Sequence, residues 1–97
     1  MQDIFKIIGL PTRRKILRLL ASGEYKVGDL VSILKEKQST ISMHLAMLRA
    51  CGLVKVRAVH KEHWYSLEVE NWNKTKMEIE EFLFSAGLPV VRRRDTI

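Results

Sequence analysis

The sequence predicts a mostly α-helical fold with one small β-hairpin, in the element order α-α-α-α-β-β-α. Over most of the chain, apolar residues recur every three or four positions, which is the period of an amphipathic helix. Between residues 54 and 67 the period changes to two, and the residues become β-branched and aromatic, as in paired strands. Glycines and prolines separate most of the helical segments from one another.

The first predicted helix, residues 2–8, has only one or two turns. On a helical wheel its residues Ile4, Phe5 and Ile8 share one face, whereas Ile7 points elsewhere. The shared face therefore predicts which side of this helix is covered.

The second predicted helix follows Gly9 and begins at Pro11, because proline at the first helical position lacks only an N–H that would be unpaired there anyway. We expect the helix to end at Gly23. Its apolar residues should pack inward: Ile16, Leu17, Leu19 and Leu20. Its cationic residues should stay solvated: Arg13, Arg14, Lys15 and Arg18.

The third predicted helix lies near residues 27–36, with Leu30, Ile33 and Leu34 as its apolar stripe. A few polar residues then lead directly into the fourth helix. The short connection predicts two neighbouring helices joined by a tight turn.

The fourth predicted helix has Ser39 as its expected N-cap and Gly52 as the left-handed glycine that ends it. One side of this helix is apolar and should face the core: Ile41, Leu45 and Leu48. The opposite side carries short or polar residues: Ser39, Ser42, Met43 and Ala46. This division predicts that the apolar side holds the helix down while the other side faces outward.

The period-two region predicts a hairpin with strands at residues 54–59 and 63–67. Its tip would hold His60, Lys61 and Glu62. Because no Asn-Gly or Asp-Gly pair marks the turn, we expect a loose tip rather than a tight one.

The last predicted helix runs from Asn71 to Ala86 and has two apolar faces. The broad face consists of Trp72, Thr75, Ile79, Phe82, Leu83 and Ala86. The other face carries Met77 and Phe84. A surface helix needs only one apolar face, so the second indicates cover by another chain. Residues 1–87 are expected to form one domain, followed by a flexible basic tail at residues 88–97.

The composition limits the class of protein. The chain has 97 residues, 17 Lys and Arg against 11 Asp and Glu, and a formal net charge of +6, which favours nucleic acid as a partner. It lacks an apolar run long enough for a membrane span and does not begin like a signal peptide, so we expect a cytoplasmic protein that does not bind membranes. With one cysteine, neither an internal disulfide nor a multi-cysteine zinc site can form.

Helices joined by a short turn and followed by a hairpin are the layout of a winged helix-turn-helix, which binds double-stranded DNA. The second helix of such a motif enters the major groove, and its outward residues become candidates for base contacts. These candidates are Gln38, Ser39, Thr40, Ser42, Met43 and His44. Cations around the helix and on the wing are candidates for contacts with the DNA backbone: Lys35, Lys37, Arg49, Lys55, Arg57 and Lys61.

Three separated segments, "IFKIIGLPTRRKILRLLASGE", "QSTISMHLAMLRACGLV" and "HWYSL", resemble the ArsR/SmtB family of winged-helix repressors. The resemblance covers roughly residues 4–84. It implies a transcriptional repressor that binds an imperfect palindrome as a homodimer joined through the first and last helices. The residues expected at this dimer interface are Ile4, Phe5, Ile8, Trp72, Ile79, Phe82 and Leu83.

The chain departs from the family at the residues that sense metals. Where family sensors carry two cysteines in ELCVCDL, this sequence reads "EYKVGDL", with Lys26 and Gly28 at the thiolate positions. Neither residue can bind a soft metal, and the last helix has no histidine, so we expect no metal effector and no cofactor. His60 and His63 are expected to contact phosphates or solvent rather than a metal.

Several alternatives remain open from the sequence. The domain could be a protein-interaction module with weak, non-specific DNA binding instead of a repressor. Cys51 is expected to be structural, although a disulfide between two subunits is the other option. The sequence does not identify a small-molecule effector. It contains no nucleophile–base pair or phosphate-binding glycine loop, so we expect no catalytic residues and no enzyme.

Overall fold

The computed structural model describes residues 3–87 of the chain, and the predicted basic tail at residues 88–97 lies outside them. The helices are α1 (Ile4–Ile8), α2 (Pro11–Leu20), α3 (Val27–Leu34), α4 (Gln38–Ala50) and α5 (Val69–Ser85). The strands are β1 (Tyr25–Lys26), β2 (Val54–Val59) and β3 (Glu62–Leu67). The predicted fold class is confirmed, with β1 as an additional element.

Neither α2 nor α4 begins with a side-chain cap. Pro11 occupies the first turn of α2, as predicted, and the preceding Leu10 offers no side-chain cap. The helix ends at Leu20, before the predicted Gly23. Ser39 is not the N-cap of α4, because Lys37 holds the extended backbone of the cap and Ser39 already lies inside the first turn.

The end of α4 has the expected glycine. Gly52 adopts a φ of 80°, and its N–H donates to the carbonyl of Arg49 at 3.0 Å. The N–H of Leu53 donates to the carbonyl of Leu48, also at 3.0 Å. This pair of hydrogen bonds is a Schellman motif, which stops the helix and turns the chain into β2.

The sheet has three antiparallel strands in the order β1-β3-β2. The strand β1 pairs Tyr25 with Tyr65, and its two residues are too few to show a period in the sequence. The tip of the hairpin is tight and not loose: Val59 pairs with Glu62, and His60 and Lys61 have φ values of 50° and 69°. These values are those of a type I′ turn, which forms here without glycine because it matches the twist of the strands.

The core joins α1, α2, α3 and α4 with the start of β2. Its fully enclosed side chains are Ile7, Ile16, Leu30, Ile41, Leu45, Leu48 and Leu53. Two predictions for apolar residues were wrong. Ile7 is buried instead of facing away from the covered side of α1, and Ile33 is 49% exposed instead of packing inward from α3.

The helix α5 begins at Val69, two positions before the predicted Asn71, and none of its residues is fully buried. Trp72 packs against the edge of the core, and Asn71 donates from Nδ2 to the carbonyl of Gly52 at 3.0 Å. Farther along α5, the rings of Phe82 and Phe5 lie 5.1 Å apart. The first and last helices therefore meet within one protomer, at side chains that both remain partly exposed.

Candidate nucleic-acid interface

The outer face of α4 is exposed and polar, as the sequence predicted. Gln38, Ser39 and Ser42 are exposed, Thr40 is half-buried, and Met43 is 52% exposed. On the opposite side, Ile41 and Leu48 have no exposed area, and Leu45 is 1% exposed. The apolar side anchors α4, so short polar side chains are presented on a fixed helix, as base readout in a major groove requires.

His44 is placed differently from our prediction. It is only 6% exposed, and it does not belong to the outer face of α4. Its Nδ1 accepts a hydrogen bond at 3.0 Å from Nε of Arg13, which is 7% exposed and was wrongly predicted to be solvated. The structure thus gives His44 a role in fixing α4 to α2 and removes the basis for a base contact.

This buried pair determines the protonation of the imidazole. Because Nδ1 accepts from an arginine, it carries no proton, and the neutral ring holds its proton at Nε2. Burial lowers the pKa of His44 below its usual value, the charge of Arg13 lowers it further, and Glu36 opposes them. His44 therefore acts as a neutral acceptor between two helices.

The sequence did contain a signal for this pair. Arg13 lies three, four and seven positions before Ile16, Leu17 and Leu20, which are all buried. His44 likewise shares the core-facing side of α4, three positions after Ile41 and four before Leu48. Both polar residues therefore lie on the apolar stripes of their helices, where a buried hydrogen bond is the expected solution.

Cations surround the exposed face of α4. Lys35 and Lys37 are exposed at the turn before the helix, and Arg49 is exposed near its end. On the hairpin, Lys55 and Lys61 are exposed, with Lys61 at the tip. Five of the six cations predicted to contact the DNA backbone are thus exposed around α4 and on the hairpin, and the contacts themselves stay a prediction.

Arg57 differs from the other predicted backbone cations. Its Nε and Nη2 donate to the two carboxylate oxygens of Glu24 at 2.8 and 2.7 Å. These hydrogen bonds hold the pKa of Glu24 below its usual range. The guanidinium is thus paired within the protein, 33 residues from its partner in sequence, while 58% of the side-chain surface of Arg57 stays exposed, so its DNA-backbone contact stays a prediction.

A second ion pair joins β1 to β3. Lys26 Nζ lies 3.1 Å from a carboxylate oxygen of Glu62 and 5.2 Å from the ring centroid of Trp64. Lys26 is one of the two positions where the resemblance implied a thiolate, and the other, Gly28, has no side chain. These residues do not fit a metal at this position.

The surface between α4 and the wing is concave. An open cleft of about 430 Å³ is bordered by Ser42, Ala46 and Arg49 from α4 and by Tyr65 from β3. The cleft lies between the polar face of the helix and the hairpin, and Arg49 gives it positive charge.

Other chemistry is limited in the part of the chain that the structure describes. In residues 3–87, no three His, Cys, Asp or Glu side chains gather in a geometry that could hold a metal ion. Cys51 donates from Sγ to the carbonyl of Leu48 at 3.3 Å and is partly buried. Over the same residues, no helix has the length and apolar character needed to cross a bilayer.

Comparisons with known proteins identify what the fold resembles. Residues 11–56 match the family model described as bacterial regulatory protein, arsR family. The chain is 36% identical over 67 residues to the transcriptional repressor SdpR of Bacillus subtilis, a match covering 69% of this chain and 74% of that repressor. It is 48% identical over 56 residues to a helix-turn-helix-type transcriptional regulator of Methanocaldococcus jannaschii, covering 57% of this chain and 63% of that regulator.

The solved structures that superimpose on this chain are also those of transcriptional regulators. The crystal structure of a possible transcriptional regulator for arsenical resistance superimposes with a TM-score of 0.79 and 30% sequence identity, and the match covers 86% of each chain. The reduced form of HlyU from Vibrio cholerae superimposes with a TM-score of 0.63 at 39% identity, covering 66% of this chain and 67% of that one. The similarity therefore includes the helix-turn-helix and the wing together.

Proposed function

The chain belongs to the ArsR family of bacterial regulatory proteins, and from this premise we propose that it is a transcriptional repressor that binds an imperfect DNA palindrome as a homodimer. The members of this family regulate transcription and are not enzymes. The observation that carries the proposal is the exposed polar face of α4, anchored by a buried apolar side.

Base readout in this proposal belongs to five residues of α4. Gln38 can form a bidentate contact with adenine, and the hydroxyl groups of Ser39 and Ser42 can contact any base edge. Met43 contacts a thymine methyl group or only fills space. Thr40, at the margin of the face, contacts phosphate or a base edge.

Affinity in this proposal comes from the exposed cations. Lys35, Lys37 and Arg49 contact phosphates beside the major groove, and Lys55 and Lys61 contact those of the adjacent minor groove. Each neutralised phosphate releases a counterion, so the logarithm of the affinity should fall with the logarithm of salt concentration by about 0.9 per contact.

The dimer in this proposal uses α1 and α5. Phe5 and Phe82 are 44% and 48% exposed, and they form a continuous apolar patch because their rings are in contact. The half-buried Ile79 and Leu83 extend the patch along α5. A second copy would cover it and place two α4 helices about one DNA turn, ~34 Å, apart. We place the protein in the cytoplasm, where its bacterial or archaeal DNA would be.

No metal acts as effector in this proposal, because Lys26 and Gly28 occupy the positions where a sensor of this family would need thiolates. Titrating the protein–DNA complex with zinc and arsenite tests this statement. Release of DNA at near-stoichiometric metal would contradict it.

The test of the proposal is selection of binding sites from random DNA, followed by a salt titration with the selected site. We expect a palindrome whose half-sites are one helical turn apart. The double variant Ser39→Glu and Ser42→Glu should lose binding by at least about 100-fold, because it puts two carboxylates against the base edges and phosphates. Electrophoretic mobility shift measurements provide the affinities.

Ser32→Glu is the matched control, since Ser32 is also an exposed serine on a helix of the motif but lies on α3. It should keep most of the affinity. If selection yields no palindrome at low salt, or if the double variant binds as well as Ser32→Glu, the proposal is wrong. Weak, sequence-independent binding would instead favour a protein-interaction module.

A further inference from the structure

A second cleft lies on the side of the molecule where α1, α2 and α5 meet. It has a volume of about 280 Å³, and its apolar lining comes mainly from Ile8, Leu17, Ala21, Leu67 and Trp72. Arg14 and Arg18 complete the lining. Arg14, Leu17 and Arg18 of α2 and its C-cap Ala21 recur every three or four positions, so they line one side of the helix, where Leu17 also belongs to the core.

Both arginines bring positive charge to an apolar site. Within residues 3–87, ion pairs join Arg57 to Glu24 and Lys26 to Glu62, and neither involves Arg14 or Arg18. Arg14 donates from Nη1 to the carbonyl of Ile8 at 2.7 Å, which fixes its guanidinium at the cleft and leaves other N–H donors available. A guanidinium without a carboxylate partner beside an apolar wall suits a ligand with an acidic group.

The volume of the cleft limits the size of the ligand that it can hold. A cavity of about 150 Å³ is enough for benzene, so about 280 Å³ accommodates one aromatic ring with a short side arm. An α-helix, with a diameter of about 10 Å, would need a longer groove. Ile8 and Trp72, which the family resemblance implies are at the dimer interface, also pack against the core of their own protomer, so the lining of the cleft comes from one chain.

We propose that this cleft binds a small aromatic carboxylate, with its ring between Leu17, Leu67 and Trp72 and its carboxylate on Arg14 and Arg18. The ligand would lie between α2, which Arg13 links to α4, and α5, which carries the proposed dimer surface. Occupancy would shift α5 relative to α2 and thereby change operator affinity. This regulatory role rests on the proposed function, whereas binding itself does not.

The test uses Trp72 as the reporter. The chain has two tryptophans, so Trp64→Phe leaves Trp72 as the only indole in the protein. We expect 3-phenylpropanoate to change the Trp72 emission saturably, and its uncharged amide to bind about tenfold more weakly because it lacks the charge-assisted hydrogen bonds. The measurement is made without DNA, so it stands even if no operator is found.

Three variants in the Trp64→Phe background locate the site. Arg18→Gln should weaken carboxylate binding about tenfold and leave amide binding unchanged. Ala21→Phe should abolish binding of both compounds by filling the cleft. Lys15→Gln removes the same charge from an exposed position of the same helix outside the cleft and should change nothing.

Three results would overturn the inference. The first is no saturable response to the carboxylate, and the second is equal affinity for acid and amide. The third is a Trp72 emission that changes with protein concentration in step with dimerisation, since the cleft would then be covered by the second subunit. If the carboxylate binds but operator affinity changes by less than about twofold, the effector role is wrong.

Discussion

At the scale of single residues, the least expected feature is the buried hydrogen bond between Arg13 and His44. It joins α2 to α4, so it fixes the helix that we propose reads DNA. Without the acceptor, the buried N–H of Arg13 would lose its partner, which costs about 1–3 kcal/mol for a typical group and more for a charged one. In the proposed complex with DNA, His44 would therefore act by holding α4 in place.

The pH dependence of stability should report this pair. Because the pKa of His44 is lowered on folding, the unfolded chain binds a proton that the folded chain does not bind at pH values just below about 6.5. The stabilisation by the neutral imidazole is therefore complete above about pH 6.5 and decreases as the pH falls through that value. The free energy of unfolding, measured in urea at several pH values, should fall accordingly.

His44→Gln should reduce this pH dependence, because an amide oxygen can accept from Arg13 but does not titrate in this range. His63→Gln serves as the control for loss of an exposed imidazole. If His44→Gln retains the full dependence of the wild type between pH 7.5 and 5, the pH dependence does not come from the Arg13–His44 pair.

At the scale of elements, the pairing of β2 with β3 overrides the conformational preference of the residues at the tip of the wing. The tip residues His60 and Lys61 have positive φ values, which suit asparagine and glycine better. Left-handed backbone costs a non-glycine residue roughly 1–2 kcal/mol, yet the ladder between β2 and β3 holds the turn closed. The ion pair of Arg57 with Glu24 adds a link from β2 to the segment before β1.

Replacing the tip with a better turn sequence should stabilise the protein. For the double variant His60→Asn and Lys61→Gly, we expect an increase of about 1 kcal/mol in the free energy of unfolding, because the strain at both positions is relieved. Chemical denaturation measures this change. Lys55→Gly provides the comparison, since the same substitution within an extended strand should destabilise by about 0.5–1 kcal/mol.

An unchanged or lower stability of the tip variant would show that the turn carries no strain. In that case, the positive φ values of His60 and Lys61 would have to be relieved in solution by a looser tip, as the sequence alone had predicted.

At the scale of the whole molecule, α5 is a helix whose apolar side chains a single protomer does not cover. Its apolar residues Val69, Met77, Phe82 and Phe84 are between 48% and 79% exposed. Phe82 and Phe84 point in different directions on the helix, so one partner surface cannot cover both faces in the same way. The contact of Phe82 with Phe5 marks the face that continues onto α1.

We expect Phe82→Glu to shift the protein to monomer, raising the dimer dissociation constant at least about tenfold, because a carboxylate would be buried in the proposed interface. Met77→Glu, on the other face of α5, should leave the dimer intact. Sedimentation equilibrium at several concentrations measures both. Equal dissociation by the two variants, or dissociation by Met77→Glu alone, would contradict the assignment of the interface.

The sequence by itself determined the elements whose cause is local. The helical period located all five helices with small errors at their ends, and the period of two located β2 and β3. The outward residues of α4 followed from the same period, because burial of one helix side places the opposite side in solvent. The family resemblance depended on these local motifs and was confirmed.

The tertiary structure decided what depends on partners distant in sequence. Strand β1 forms because Tyr25 and Lys26 pair with the edge of β3. A strand of two residues is too short to be predicted from a period in the sequence. His44 and Arg13 lie 31 positions apart, and Arg57 and Glu24 lie 33 apart, so no period in the sequence identifies which residue pairs with which. A buried donor needs an acceptor, and a carboxylate attracts a guanidinium, wherever the fold places them. Packing therefore reassigned the predicted DNA contact of His44 to the support of α4, and it gave Arg57 an ion-pair partner within its own chain.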